Sequence, residues 1–325
     1  MDHADDGAND VFVYMGGRQE VPRNVIHVRV HKSVKIIPRW AFWNCRNLVS
    51  VEMHDGVEII EEEAFDCCRC LKSINLSGVR FIGEGAFNGC RALEDVKFGD
   101  KLESIGDDAF YCCDSLRNIK LSKIRVIGDG AFCDCKQLTE VELSKDLETV
   151  GRAALAYCPR LRRITIPLKD NLLENNSVFA ECDALSQVDL VGGIHKTVSS
   201  LFLESWRNEM NDEIDRINRN LPRYSLDLPH TNPADKTAVI RQWMDRVVER
   251  IQRYKSEHYA LLENNMTQVE LALWKANLPN VDAAAGRDEA RVTCGANIII
   301  PHVLSFLNDN DEFPLVDCGL AVLRD

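Results

Sequence analysis

Hydrophobic positions recur along the first 190 residues with a period of 22 to 24. The clearest copy is Ile82-Gly83-Glu84-Gly85-Ala86-Phe87-Asn88-Gly89-Cys90-Arg91-Ala92-Leu93-Glu94-Asp95-Val96-Lys97-Phe98. Its Phe position is filled by Phe42, Phe65, Phe87, Phe110, Phe132, Leu155 and Phe179, and three residues later come Cys45, Cys68, Cys90, Cys113, Cys135, Cys158 and Cys182. A run Leu-x-x-[Val/Ile]-x-apolar follows, as in Leu48/Val51/Met53 and Leu138/Val141/Leu143. A unit this short cannot bury its own apolar face, so the period predicts stacked coils sharing one core. Within each unit Val51 and Met53, and their equivalents, alternate with polar residues, the period of a short strand. The Ala-Phe-x-x-Cys-x-x-Leu section suits one or two helical turns. The expected architecture is therefore an α/β solenoid: a parallel sheet of roughly eight strands with short helical turns opposite.

Two smaller signals refine this. Acidic residues recur three before Phe (Glu62, Glu84, Asp107, Asp129), where they would favour the positive end of a helix dipole. Gly83, Gly106, Gly128 and Gly151 precede them, where a tight turn would call for positive φ. The first coil is a half-repeat, with Val25, Val28 and Val30 matching the strand section. Val11-Phe12-Val13-Tyr14 can form a strand and Gly16-Gly17 a turn, so residues 11–24 are expected to cover the open end. Trp40 and Trp43 are expected to pack near that cap.

The alternation also identifies the exposed face of the sheet. Its central column reads Arg29, Glu52, Asn75, Lys97, Lys120, Glu142, Thr165, Asp189. A second row, just after Cys, carries Arg46, Arg69, Arg91 and Lys136. The sheet face is mixed in charge and lacks the rings that sugar-binding or single-strand-binding surfaces supply. The central column is the candidate partner-binding surface, and a solvated face is the alternative.

The pattern I-G-x-x-A-F-x-x-C-x-x-L-x-x-[VI]-x-L over residues 25–191 resembles the BspA-like leucine-rich repeat proteins. The resemblance implies a curved leucine-rich repeat solenoid presenting a surface for protein–protein contact. The last units depart from the pattern. Arg152 and Leu155 replace the acidic and Phe residues of the sixth, and the seventh carries an insertion around residues 170–176. Such changes suit a terminal coil approaching another domain.

From residue 195 the period becomes helical. Leu203, Trp206, Met210, Ile214, Ile217 and Leu221 predict an amphipathic helix over 197–221, closed by Pro222. A proline-rich loop (222–233) leads to a second helix over 235–264, whose stripe is Ile240, Met244 with Trp243, Val247, Ile251, Tyr254, His258 and Leu261. A third helical piece is expected at 267–278, a polar linker at 282–291, a short apolar helix at 297–307 and a loose acidic tail from 308. The expected organisation is a tail and cap (1–24), the solenoid (25–194) and a helical hairpin or bundle with acidic tail (195–325). The near-heptad stripe either closes on itself within the hairpin or pairs with a second copy through 235–264. The region with Leu271, Trp274, Lys275 and Ala276 resembles the helical tail attached to such repeats in algal proteins, which implies architecture but no activity.

Composition narrows the function. The 325 residues carry a formal net charge of -12 and a pI near 5.2. Phosphate backbones and anionic membranes attract clustered Lys and Arg, so neither is expected as the main partner. The acidic, polar start (MDHADDGAND) does not read as a signal peptide, and no apolar run approaches a membrane span, which points to a cytoplasmic or nuclear protein. Of thirteen cysteines, seven follow the repeat phase and read as buried thiols of a reducing compartment.

Site chemistry is sparse. Cys67-Cys68-Arg69-Cys70 holds one C-x-x-C, but Cys68 belongs to the ladder and zinc needs further ligands. His27, His31 and His54 flank one strand edge as scattered imidazoles. Gly83-Glu84-Gly85 and Gly128-Asp129-Gly130 lie within the repeat and lack a dinucleotide-binding setting. His258, Cys294 and His302 share no catalytic spacing. The sequence predicts a non-catalytic interaction scaffold without cofactor or metal, with self-assembly through the C-terminal helices as the alternative and an enzyme site near His258, Cys294 or His302 as the third reading.

Overall fold

Each coil turns the alternation of its apolar residues into a strand with one dry face, and the coils stack in register. The structure, a computed structural model, describes residues 11–169, 171–173, 177–191, 204–221 and 236–276; for 204–207, 255, 258, 259 and 261–276 it describes the backbone alone. Residues 1–10, the loop 222–233, the linker 282–291, the helix expected at 297–307 and the tail from 308 lie outside the described residues.

The larger sheet is parallel throughout. Strands β1 (Val11–Tyr14), β2 (His27–Val30), β4 (Ser50–Glu52), β6 (Ser73–Leu76) and β8 (Asp95–Phe98) form one ladder. Strands β10 (Asn118–Lys120), β12 (Glu140–Glu142), β14 (Arg163–Ile166) and β15 (Gln187–Leu190) form another, which adjoins the first at β8 and β10 without ladder hydrogen bonds; the two together are called the larger sheet. The sheet thus takes in one more strand than the repeat phase alone indicates, because β1 pairs with β2 from Val11↔His27 to Tyr14↔Val30. Tyr14 is fully buried, and its ring meets Phe42 edge-on at 4.9 Å, so the N-terminal strand closes the open end of the core.

A second parallel sheet, which the repeat pattern did not indicate, lies elsewhere on each coil. It consists of β3 (Ile36–Ile37), β5 (Ile59–Ile60), β7 (Phe81–Ile82), β9 (Ser104–Ile105), β11 (Val126–Ile127) and β13 (Thr149–Val150). The second residue of each pair is buried. The Ala-Phe-x-x-Cys sections are single turns, closed by bonds such as Cys45 N–H to the Phe42 carbonyl. Residues two before and two after Phe are left-handed, for example Trp40 (φ 61) and Asn44 (φ 60), or Asp108 (φ 50) and Cys112 (φ 57). Left-handed residues break an α-helix, so these turns do not propagate.

That geometry corrects two expectations. Gly83, Gly106, Gly128 and Gly151 do not have positive φ. They lie against the preceding coil: a Cβ on Gly106 would stand 2.7 Å from the Glu84 nitrogen and 2.8 Å from the Gly83 carbonyl carbon. Nor do the acidic residues start helices. Asp107 Oδ1 accepts from the Asp129 N–H (2.8 Å) and Asp129 Oδ1 from the Arg152 N–H (2.6 Å), which ties each coil to the next.

The core is a stack of rings beside a ladder of thiols. Phe42, Phe65, Phe87, Phe110 and Phe132 lie 4.8, 5.1, 5.0 and 5.2 Å apart with near-parallel planes. Each buried ring contributes roughly 1.5–3 kcal/mol. The thiols do more than fill space. Cys68, Cys90, Cys113, Cys135, Cys158 and Cys182 each donate Sγ–H to the carbonyl of the preceding coil's Phe-position residue, at 3.0–3.4 Å. Cysteine suits the site because it is small, apolar and still a donor.

The chain divides into two compact units, and the first contains the solenoid together with residues 204–250. Helix α1 (Glu204–Asn220) and the beginning of α2 (Lys236–Ala276) both bond to the last coil. Lys236 Nζ donates to the carbonyls of Cys182 (2.7 Å), Asp183 (2.9 Å) and Leu185 (3.1 Å). Thr237 Oγ1 accepts from Phe179 N–H and Asn218 Oδ1 from Val188 N–H. The two helices thus satisfy backbone groups that an eighth coil would have satisfied. Met210 and Ile217 are buried with Ile240, Trp243, Met244 and Val247, and buried Glu213 pairs with Arg250 at 2.5 Å. In the second unit α2 continues unbroken through Ala276, so the helix and third piece expected at 235–264 and 267–278 are one element.

Candidate functional site

The eight candidate residues stand where period two puts them, on the solvent side of the larger sheet. Register pairs Arg29 with Glu52, Asn75 with Lys97, Lys120 with Glu142, Glu142 with Thr165, and Thr165 with Asp189. Inward neighbours such as Val51, Ile74, Val96 and Ile119 are buried. The column is therefore a polar row in two registered stretches, on the β1–β8 ladder and on the β10–β15 ladder.

Most of its charge is answered within the column and its flanks. Arg29 Nε lies 2.5 Å from Glu52 Oε2, Lys120 Nζ 2.9 Å from Glu142 Oε2, and Arg163 Nε 2.6 Å from Asp189 Oδ2. The hydrogen bond from Arg29 holds the Glu52 carboxyl below its ordinary value. Asn75 Oδ1 accepts from the N–H and hydroxyl of Ser77. Lys97 is exposed and has no ion-pair partner among the described residues. Lys97 thus stands between the Arg29–Glu52 pair on one side and the Lys120–Glu142 pair on the other.

The histidines each make separate local bonds: His27 with Ser50, His31 with Ser33, and His54 with the His31 carbonyl. Cys67 and Cys112 are half-buried, and Cys70 is exposed. Burial, with a hydrogen bond to Asp134, pushes the Cys112 thiol up to about 11, far from the thiolate a nucleophile needs. The side chain of His258, and all of Cys294 and His302, lie outside the described residues.

Trp43 lies against the cap segment through Arg23, as expected, whereas Trp40 stands away from it, and neither ring is buried. Trp40 and Trp43 are 53 % and 40 % exposed, and their indole N–H groups donate to Glu63 and Asp66 of the next coil, both at 2.9 Å. The guanidinium of Arg39 stands 4.3 Å over the Trp40 ring and that of Arg23 5.1 Å over Trp43. Left-handed φ at Trp40 turns its side chain outward from the coil.

The repeat pattern also left unmarked a charged column on the second sheet. Lys35, Glu58, Arg80, Glu103, Arg125 and Glu148 alternate in sign from coil to coil, with contacts of 3.9, 2.6 and 2.5 Å closing three pairs. Ile36, Phe81 and Val126 are exposed beside them. The spacing that reveals the Phe ladder reveals this column as well.

No helix among the described residues is long and apolar enough to cross a membrane. None of the curated proteins matches the chain. Among solved structures it is similar to a leucine-rich repeat protein from Bacteroides ovatus: 28% identity, 51% of this chain and 49% of that one, TM-score 0.42. It is also similar to the T. pallidum leucine-rich repeat protein: 29% identity, 43% of this chain and 67% of that one, TM-score 0.38. The chain thus spans about half the length of the Bacteroides ovatus protein. The family model described as BspA type leucine rich repeat region matches in six copies over residues 22–123, 60–186 and 104–221. With its ring stack, thiol ladder and paired sheets accounted for, the chain belongs to the BspA-type leucine-rich repeat family.

Proposed function

We propose that the protein is a non-catalytic interaction scaffold that captures a protein partner on the solvent face of its larger sheet, through Arg29, Glu52, Asn75, Lys97, Lys120, Glu142, Thr165 and Asp189. The observation that carries this reading is a polar column in register along two successive ladders, largely neutralised by internal pairs, with exposed Lys97 left at the end of the first to select a complementary group. A preorganised face binds without the cost of ordering its side chains. The buried ladder of free thiols supports a reducing compartment, cytoplasm or nucleus. The test is affinity capture from a native lysate with wild type and Lys97→Glu. Loss of a specific band without a lower melting temperature supports the face, and an unchanged pattern rejects it.

Self-association through 235–264 is the second reading, favoured by the unbroken run of α2 to Ala276. Ile240, Trp243, Met244, Val247, Ile251 and Tyr254 are already buried, so this reading rests on the part of the stripe beyond Tyr254. Sedimentation of the full chain decides: a monomer at tens of micromolar rejects this reading. The helical region then serves to close the solenoid.

A further inference from the structure

The row of basic residues after the cysteines is longer than its Cys-linked members, and it differs from every other charged column described above. The turn bond Leu48 N–H to Cys45 carbonyl recurs at Leu71/Cys68 and Leu93/Cys90, and again at Val25/Pro22. Pro22 therefore occupies the Cys position of the first half-coil, and Arg23 is the equivalent of Arg46, Arg69 and Arg91. Four arginines follow one another on four successive coils, all exposed. At ~4.8 Å per coil they span about 14 Å.

Like charges at this spacing repel one another, and the fold offers them little relief. Arg23 rests over Trp43 and donates to its carbonyl. Arg46 donates to Asn44 Oδ1 at 2.8 Å. Arg69 has no hydrogen-bond or ion-pair partner among the described residues. Arg91 lies 3.7 Å from Asp114, a carboxylate that already holds Lys136 at 2.8 Å. The second sheet, by contrast, alternates sign at every coil and pairs its charges. A run of one sign in a chain of net charge -12 leaves anion-binding capacity unfilled.

We propose that Arg23, Arg46, Arg69 and Arg91 form a docking row for a short, extended, carboxylate-rich segment of a partner protein. Guanidinium groups bind carboxylates in a two-pronged fashion, and four in file offer several such grips. An extended chain rises about 3.3 Å per residue, so an acidic run of four or five residues covers the row. A long phosphate polymer fits less well. It would overrun a 14 Å strip into acidic surface, and Trp43, the ring nearest the row, is already covered by Arg23. Each arginine stands four residues before a strand of the larger sheet, and the row shares no residue with the Lys97 column.

The experiment uses the full chain with three fluorescent probes: an octaglutamate peptide, a neutral peptide of equal length and an eight-nucleotide thymidine oligomer. Anisotropy at 50 mM salt should show octaglutamate binding that weakens at 200 mM, since exposed charge pairs are screened. Arg46→Glu/Arg69→Glu should weaken it at least tenfold, and Arg46→Gln/Arg69→Gln severalfold. Arg160→Glu/Arg162→Glu, an equal charge change on a distant coil, should alter it less than twofold. Melting of the Arg46/Arg69 variants should stay level or rise, because repulsion is relieved. Octaglutamate should also slow alkylation of Cys70, the exposed thiol beside Arg69, read by mass spectrometry. Equal affinity in wild type and the Arg46/Arg69 variants, equal loss in the distant pair, or tighter binding of the thymidine oligomer overturns the proposal. Lys97→Glu should leave octaglutamate binding within twofold, which separates a failure here from a failure of the sheet-face reading.

Discussion

Glycine serves two purposes in this chain, and only one of them concerns backbone dihedrals. Gly85, with φ +58, occupies one of the left-handed positions that flank Phe, and other coils fill the same position with Trp40, Glu63 or Asp108. A left-handed side chain costs roughly 1–2 kcal/mol, so Gly85→Ala should be mild. Gly106 has an ordinary φ but no room, because its Cβ would collide with backbone of the coil beneath. Gly106→Ala must push neighbouring coils apart and should cost more than about 2 kcal/mol, in the range of overpacking. Thermal melts of the two variants check this, and a Gly85 change larger than the Gly106 change would show that dihedral strain dominates. The sequence displays both glycines with equal clarity. What separates them is distance to a neighbouring coil, a quantity that appears only once the coils are stacked. Trp40 misled for the same reason: aromatic residues are usually buried, but a left-handed backbone directs this one into solvent.

Elements that bury a periodic face were legible, and elements that answer to a neighbour were not. The larger sheet follows from alternation at Val51/Met53 and its echoes. The second sheet escaped notice because two residues, such as Ile36–Ile37, are too few to show a period. The helices were visible from steps of three and four, yet their role was not, since no periodicity in 236–250 indicates what lies opposite. Their role rests on Lys236, a buried ammonium among three carbonyls, and on Thr237 and Asn218. Lys236→Met keeps the stem but takes the ammonium from the Asp183 and Leu185 carbonyls, while the Cys182 carbonyl keeps the Leu185 N–H. An unsatisfied buried polar group costs about 1–3 kcal/mol, more for bonds to a charged group, so a loss of roughly 2–4 kcal/mol is expected. Chemical denaturation reads it directly, and unchanged stability would mean that α2 merely rests on the last coil. Of the candidate surface, the column from Arg29 to Asp189 could be named in advance, whereas the pairing that spares Lys97 could not.

At the scale of the whole molecule, the thiol ladder couples stability to pH. Burial raises Cys68, Cys90, Cys113 and Cys135 above the ordinary thiol value; a hydrogen bond with Cys135, and then burial, raises Cys158, and a hydrogen bond with Cys158, and then burial, raises Cys182. Below about pH 8.5 the folded and unfolded chains both keep these protons. Above it the unfolded chain releases them and the folded chain does not, so the folded state loses ground as pH rises. Each thiol adds up to about 1.4 kcal/mol per pH unit, and six acting together should make the decline steep. Urea midpoints measured at pH 7.5, 8.5 and 9.5 under reducing conditions should fall by growing steps, and a level series would refute a dry ladder. The same architecture bears on where the chain can be cut. A fragment ending near residue 194 would still contain every coil, yet it would present the Phe179 and Val188 amides and the 182–185 carbonyls as a raw edge, open to any strand or helix that chanced upon it. The smallest piece able to live alone therefore extends to about Arg250, and shorter versions would report on their own stickiness rather than on the protein's chosen companion.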